Sequence, residues 1–150
     1  MVKKSIFSLS IFLIIILLFI LINLFKIKDA PKVIIDGKAI TVEIANDEAT
    51  RTQGLSNREI LDPDKGMLFI FPQKNKYTFW MKDMHFPLDI IWIDGDMIVT
   101  ISENLPPEGL NPKIIYSSTK PIDKVLEINA GLTRKLNIKI GDKLIFKNIN

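Results

Sequence analysis

Residues 79–96, FWMKDMHFPLDIIWIDGD, contain the clearest hairpin signal in the chain. An apolar run at residues 88–93 ends at Asp94-Gly95, a dipeptide typical of a two-residue β-turn, and a second run follows at residues 97–102. Seven of the nine aromatic residues after position 25 lie between Phe69 and Trp92. The segment therefore predicts two central strands, with Met81 and the aromatic rings packed in the core.

The rest of the chain predicts further short strands and little helix. Asp36-Gly37 separates residues 33–35 from the alternating run 38–44 in the manner of a type I′ turn. We expect other strands at residues 67–71, 77–82, 124–128, 136–140 and 143–147. Short helices are expected at residues 46–54 and 56–61, with a turn or a short helix at 130–135. The predicted fold is mainly β: a compact barrel or sandwich of about eight short strands with one or two short helices.

An N-terminal transmembrane helix is predicted before this domain. Residues 6–25 are 20 consecutive residues without a charge, long enough as a helix to cross a bilayer. The alternative is a cleaved signal peptide, but the run is followed by Lys26, Lys28 and Pro31 rather than by a small-residue cleavage site. We therefore expect an anchor with basic flanks at residues 1–28, a linker at 29–32 and one β-rich domain at 33–150. The lysines on the two sides of the run nearly balance. A short N-terminal tail before a single anchor favours an N-terminus inside and the domain on the outer face.

Charge and composition exclude several kinds of function. Four of the 20 basic residues lie within residues 1–28, which hold no acidic residue. The rest of the chain therefore has 16 basic and 17 acidic residues. A nucleic-acid partner is not expected, because the excess charge flanks an apolar run instead of covering the domain. The absence of cysteine excludes disulfides, thiolate metal sites and a cysteine nucleophile.

A colinear series of motifs spans residues 38–147. It consists of Arg51-x-x-Gly54-Leu55-x-x-Arg58, Gly66-Met67-Leu68-Phe69-x-Phe71, Phe79-x-Met81-Lys82-Asp83, Pro87-Leu88-Asp89, Ile93-Asp94, Val125-Leu126-Glu127 with Gly131, and Gly141-Asp142. The series resembles the domain of unknown function 192 family, whose members are small proteins that are often membrane-anchored or exported. The resemblance implies one compact β-rich domain and no particular reaction. The family commonly has Met-Lys-Asn-Thr where this chain has Met81-Lys82-Asp83-Met84.

The candidate ligand-binding residues are two arginines of the predicted helical segments, three carboxylates and one methionine. They are Arg51, Arg58, Met81, Asp83, Asp89 and Glu127. Two guanidinium groups near these carboxylates can form a cleft for an anionic ligand or a peptide. The alternative is that the arginines form structural ion pairs that hold the helical segment on the barrel.

Met81, Met84 and His85 are the candidate metal ligands. Thioether sulfurs and an imidazole suit Cu(I), although the sequence predicts no cofactor for this chain. The alternative is ordinary packing of Met81 in the core, with His85 in the loop before Pro87.

The function predicted from the sequence is a membrane-tethered β-domain that binds a small ligand or a protein partner, with residues 6–25 in the lipid bilayer. One alternative is a hydrolase that uses Asp83 or Asp89 with His85 or Arg51, although no complete catalytic motif is present. The other alternative is an accessory structural protein of the membrane without a small-molecule site.

Overall fold

The computed structural model describes residues 14–18 and 29–149. Residues 14–18 are helical, and the rest of the predicted anchor at 6–25 lies outside the described residues. Within the described part, no helix is both long and apolar enough to cross a membrane. The anchor therefore stays a prediction from the sequence.

The described chain forms nine strands and two short helices after residue 29. In chain order they are β1 (Lys32–Ile35), β2 (Lys38–Ala45), α1 (Glu48–Gln53), β3 (Lys65–Asn75), β4 (Thr78–Phe79), β5 (Leu88–Asp94), β6 (Met97–Leu105), β7 (Tyr116–Ser117), β8 (Ile122–Asn129), α2 (Leu132–Lys135) and β9 (Leu144–Lys147).

Seven strands form one curled sheet in the order β6-β5-β8-β3-β2-β1-β9, and β4 pairs with β7 separately. All pairs are antiparallel except β2 and β3, between which α1 and the following loop make the crossover. The two edges of the sheet approach each other where Met97 bridges Lys143 and the N–H of Ile98 donates to the carbonyl of Asp142 over 3.0 Å. The result is a half-barrel, which confirms the prediction of a mainly β fold with few short helices.

Each face of the sheet carries its own apolar core. The inner core lies inside the curl and includes Leu68, Ile91 and Leu126. The outer core lies on the opposite face, includes Phe69 and Trp92, and is shared with residues of the loops around β4 and β7. Alternate residues of a strand point to opposite faces of the sheet. Because each face carries a core, the central strands are buried on both faces. This double burial explains why the sequence of β5 is a nearly continuous apolar run.

Both predicted hairpins are present, one of them shifted by a residue. Asp36 and Gly37 have φ angles of 48° and 74°, and a type I′ turn requires positive φ at both positions. In the second hairpin Asp94 pairs with Met97, so the loop is Gly95-Asp96 rather than Asp94-Gly95. The positive φ of Gly95, 64°, therefore falls on the first loop residue.

Three predictions of local structure were wrong. Residues 136–140 form turns instead of a strand, because Asn137 has φ 54° and the N–H of Ile138 donates back to Thr133. Residues 56–61 form the end of a turn and an irregular segment instead of a helix, since Asn57 has φ 63°. The predicted strand at 77–82 is only two residues long, and its partner β7 was not predicted.

Candidate functional site

A furrow on the surface runs between α1 and the segment that follows β4. The first wall is α1, which Asp47 caps by accepting a hydrogen bond from the Thr50 N–H over 2.9 Å. Gly54 ends the helix with φ 50°, and its N–H donates to the Thr50 carbonyl. A Cβ at Gly54 would lie 3.3 Å from the ring of Phe69, so glycine here permits both the turn and the close approach to the sheet.

The second wall presents an exposed indole. The Phe79 ring packs edge-to-face on Phe69, with 4.9 Å between ring centroids, and on Trp92 at 5.4 Å. Met81 is fully buried in the outer core. Trp80 lies between the partly buried Phe79 and the buried Met81, with 53% of its own surface exposed. The packing of its neighbours thus turns the indole towards the furrow.

The floor of the furrow joins the two walls by hydrogen bonds. The Ser56 hydroxyl donates to the Lys82 carbonyl over 2.8 Å, and the Asn57 N–H donates to the Asp83 carbonyl over 2.8 Å. Asn57 and Asp83 both have positive φ, at 63° and 53°. Asn and Asp tolerate this region best among non-glycine residues, so the Asp83 of this chain and the Asn common in the family satisfy the same backbone requirement.

The furrow consists of two adjoining cavities of about 560 Å³ and about 310 Å³. Glu48, Thr52 and Trp80 line both of them. Residues that line only the larger cavity are Ala49, Gln53, Ser56, Asn57, Lys82 and Asp83. Residues that line only the smaller cavity are Arg51, Phe69, Phe71, Tyr77, Thr78 and Phe79. The site therefore combines an aromatic wall with carboxylate, amide, hydroxyl and ammonium groups.

Arg51 closes the smaller cavity from the helix side. Its Nη1 donates to the Ile70 carbonyl over 2.9 Å, and its guanidinium lies 5.6 Å from the centroid of the Phe71 ring. Phe71 stacks on Tyr77 at 3.7 Å between centroids. These contacts hold Arg51 at the furrow, where its remaining N–H groups are available to a ligand.

Arg58 points away from this site. It binds Glu43 of β2 through two hydrogen bonds of 2.5 and 2.6 Å, and it lines neither cavity. The hydrogen bond from Arg58 lowers the pKa of Glu43, and the same bond raises the pKa of Arg58. The structure therefore brings Asp83 and Arg51 to one furrow and leaves Arg58 in an ion pair.

Asp89 is completely buried and its oxygens are occupied. Oδ1 accepts from the Asn104 N–H over 2.8 Å, and Oδ2 accepts from the Thr133 N–H over 3.0 Å and from the Thr133 hydroxyl over 2.6 Å. This carboxylate joins β5 to the end of β6 and to α2. Three donors of the fold occupy three of its roughly four acceptor sites.

Glu127 is also buried, with 5% of its surface exposed, and it lines neither cavity. It pairs in register with Met67 on one side and Ile90 on the other, and both of these side chains belong to the outer core. Burial disfavours the charged carboxylate and raises the pKa of Glu127 to about 8.

The candidate Cu(I) ligands lie in different environments. Met81 and Met84 belong to the outer core, whereas His85 is exposed with its Nδ1 3.3 Å from Glu59. Among the described residues, no three His, Cys, Asp or Glu side chains lie close enough together to hold a metal ion. Core packing accounts for both methionines.

Sequence reasoning missed most of the furrow. Glu48, Thr52 and Asn57 line it, yet none belongs to a recognisable chemical motif. The only signal in the sequence is conformational, because Gly54 and Asn57 favour turns that interrupt a helical pattern. Their position opposite Trp80 depends on how α1 packs on the sheet.

A small β-domain with a solvent-open furrow is thus the class that the fold and the site define. Residues 32–146 match the model of the domain of unknown function 192 family, described as "Uncharacterized ACR". The chain belongs to this family, which confirms the resemblance seen in the motifs. No protein with a curated description matches the chain.

Two solved structures are similar over most of the chain. One is a proposed transcription regulator from Sinorhizobium meliloti 1021, 37% identical, with a TM-score of 0.70 over 77% of this chain and 91% of that one. The other is a protein of unknown function from Novosphingobium aromaticivorans DSM 12444, 34% identical, with a TM-score of 0.69 over 76% of this chain and 83% of that one.

Proposed function

We propose that this protein is a binding module that takes a ligand in the furrow beside α1. The observation that carries the proposal is the exposed Trp80 between two adjoining cavities lined by polar side chains. Among the described residues, the carboxylates of Glu48 and Asp83 and the amide of Asn57 have no side-chain hydrogen bond or ion pair. An apolar platform with available polar groups on both sides is the usual composition of a ligand site.

The module is tethered to a membrane in this proposal. The support is the uncharged run at residues 6–25, which precedes β1 by only a few residues. The full-length protein should stay with the membrane fraction through alkaline carbonate extraction. Protease added to intact cells should then remove the domain, because the proposal places it on the outer face. Release by carbonate would exclude the anchor, and protection of the domain would reverse the orientation.

Hydrolysis is less well supported than binding. Donors from Asn104 and Thr133 occupy the oxygens of Asp89, and that residue lies outside the furrow. The imidazole of His85 faces Glu59 and lines neither cavity. Asp83 alone does not provide the acid and the base that a hydrolytic reaction requires.

DNA binding also has little support, although one similar structure is described as a proposed transcription regulator. The chain beyond residue 28 has slightly more acidic than basic residues. Several of its cations are paired with acidic side chains of the same domain. These pairs include Arg58–Glu43, Lys65–Asp62, Lys124–Asp123 and Arg134–Glu103. Paired cations in a near-neutral domain release few counterions from phosphate and therefore give weak binding.

A thermal-shift panel on the full-length protein tests the binding function without assuming a ligand class. It includes sugars, phosphates, short peptides, Ag(I) and divalent metals. A ligand at ~100 times its Kd stabilises the native state by about 2.7 kcal/mol, which raises the melting temperature by several degrees. We expect a shift that Trp80→Ala abolishes and that Ile140→Ala retains, since Ile140 is 65% exposed and lies outside both cavities. A shift that both variants retain would place the site elsewhere. A flat panel would favour the accessory structural role.

A further inference from the structure

The exposed ring of Trp80 divides the furrow into two halves of different character. On the side of the larger cavity lie Asn57 and Asp83, and on the side of the smaller cavity lie Arg51 and Tyr77. A ligand that fills both cavities therefore contacts the indole, which lines both of them. Its middle portion needs an apolar surface, and its ends need hydrogen-bonding groups.

The charges that line the furrow cancel. Glu48 and Asp83 supply two negative charges, and Arg51 and Lys82 supply two positive charges. A phosphate or another strong anion is a poor match, because the carboxylates of Glu48 and Asp83 repel it and the lining has no net positive charge. A purely apolar ligand is equally poor, since it would remove these four charged groups from water without giving them hydrogen bonds. The lining thus fits a neutral ligand that is rich in polar groups.

The polar groups available around Trp80 suit hydroxyl groups in particular. A carboxylate accepts hydrogen bonds from two neighbouring hydroxyls, and an amide donates to one and accepts from another. Glu48 lines both cavities, and Asn57 and Asp83 lie together on the floor of one. A pyranose ring has an apolar C–H face that can stack on an indole. It also has a rim of hydroxyl groups that can form these hydrogen bonds.

We propose that the furrow binds a neutral saccharide of at least two sugar units, with one ring stacked on Trp80 and its hydroxyl groups bonded to Glu48, Asn57 and Asp83. The proposal rests on the binding function proposed above and specifies its ligand class. The adjoining cavities of about 560 Å³ and about 310 Å³ leave room for a second sugar unit beside the stacked ring. The affinity expected for so open a site is modest, because much of the ligand stays in contact with water.

The experiment is a screen of immobilised neutral oligosaccharides with the full-length chain, in a detergent that has no sugar headgroup. Isothermal calorimetry with the best soluble oligosaccharide then compares variants. Trp80→Ala should weaken binding roughly tenfold or more, and Trp80→Phe should retain part of it because a ring remains for stacking. Glu48→Gln and Asp83→Asn should each weaken binding several-fold. Asp64→Asn, an exposed carboxylate outside both cavities, is the matched control and should have no effect.

The outcomes separate this inference from the binding function itself. Binding of an oligosaccharide that is sensitive to Trp80 and Glu48 supports both. Trp80-dependent binding of a peptide or a charged ligand, without any oligosaccharide, overturns the saccharide inference and leaves the module a binding protein. Failure of every probe to bind in a Trp80-dependent manner overturns both. Binding that is insensitive to Trp80→Ala places the sugar at another surface and also contradicts the inference.

Discussion

The backbone N–H of Asn57 donates to the carbonyl oxygen of Asp83 over 2.8 Å, and both residues have positive φ. This hydrogen bond joins the turn after α1 to the turn after Trp80, and therefore sets the width of the furrow. Asn57 and Asp83 are 26 residues apart in the chain. Their relative position depends on local conformations that few residue types adopt.

Substitutions at Asp83 should separate its backbone role from its carboxylate role. Asp83→Val should lower the free energy of unfolding by about 1–2 kcal/mol, because a β-branched residue disfavours φ 53°. Asp83→Asn and Asp83→Gly should keep stability within about 0.5 kcal/mol while weakening ligand binding. Urea unfolding measures the first effect and calorimetry the second. Equal stability of all three variants would show that the left-handed conformation is not required.

Glu127 should make stability fall as pH rises. Its pKa is about 8 in the folded chain against 4.5 for an ordinary glutamate side chain, so between these values the native state holds a proton that the unfolded state has lost. The free energy of unfolding should therefore decrease between about pH 4.5 and pH 8, by up to about 1.4 kcal/mol per pH unit. Urea unfolding from pH 5 to pH 9 measures the slope.

The Glu127→Gln variant is the control for this pH dependence. An amide of the same shape carries no charge at any pH, so the variant should lose most of the slope and be the more stable protein above pH 8. If wild type and variant have the same slope, another group is responsible for it.

Loss of the Asp89 carboxylate should destabilise the fold without a direct effect on the furrow. Asp89→Ala leaves the N–H groups of Asn104 and Thr133 without their acceptor, at a cost of about 3–5 kcal/mol. Thr133→Val removes only the hydroxyl and should cost about 1–2 kcal/mol. Asp64→Ala serves as an exposed control. A variant at Asp89 that stays fully stable would contradict the structural role and reopen a catalytic one.

The two arginines of the motif should differ in their effects. Arg58→Ala should cost at most about 1 kcal/mol of stability and leave ligand binding unchanged, since its ion pair with Glu43 is partly exposed. Arg51→Ala should weaken ligand binding and cause only a small loss of stability. Calorimetry and urea unfolding on both variants check this contrast. Global unfolding of Arg51→Ala would assign that residue a structural role instead.

The sequence predicted features that depend on local chemistry. Both hairpins were predicted from Asp36-Gly37 and from the Asp94-Gly95 region, because few residue types adopt positive φ. The ends of α1 were predicted from Asp47 and Gly54. The motif Phe79-x-Met81-Lys82-Asp83 also identified Asp83, which lines the furrow. These signals act over two to six residues, which is the range at which a sequence specifies conformation without help from the fold.

Features that depend on tertiary packing were not predicted. The alternating residues 136–140 have the pattern of a strand, but Asn137 turns the chain so that Ile138 reaches the inner core. The pairing of β4 with β7 joins Phe79 to Tyr116 across 37 positions, and no local signal marks it. Glu48 and Thr52 lie on an exposed helical face, and only the packing of α1 opposite Trp80 makes them part of a site.

The chain has two tryptophans, and their indole N–H groups provide the most direct test of the furrow. Trp80 is 53% exposed in the furrow, whereas Trp92 is buried and donates to the Ser102 hydroxyl over 3.1 Å. The full-length protein, labelled with ¹⁵N at the indoles, would be titrated with the neutral oligosaccharide that binds best. We predict a saturable shift of the Trp80 signal while the Trp92 signal stays in place. An unchanged Trp80 signal at saturation would contradict the proposal that this furrow is the binding site.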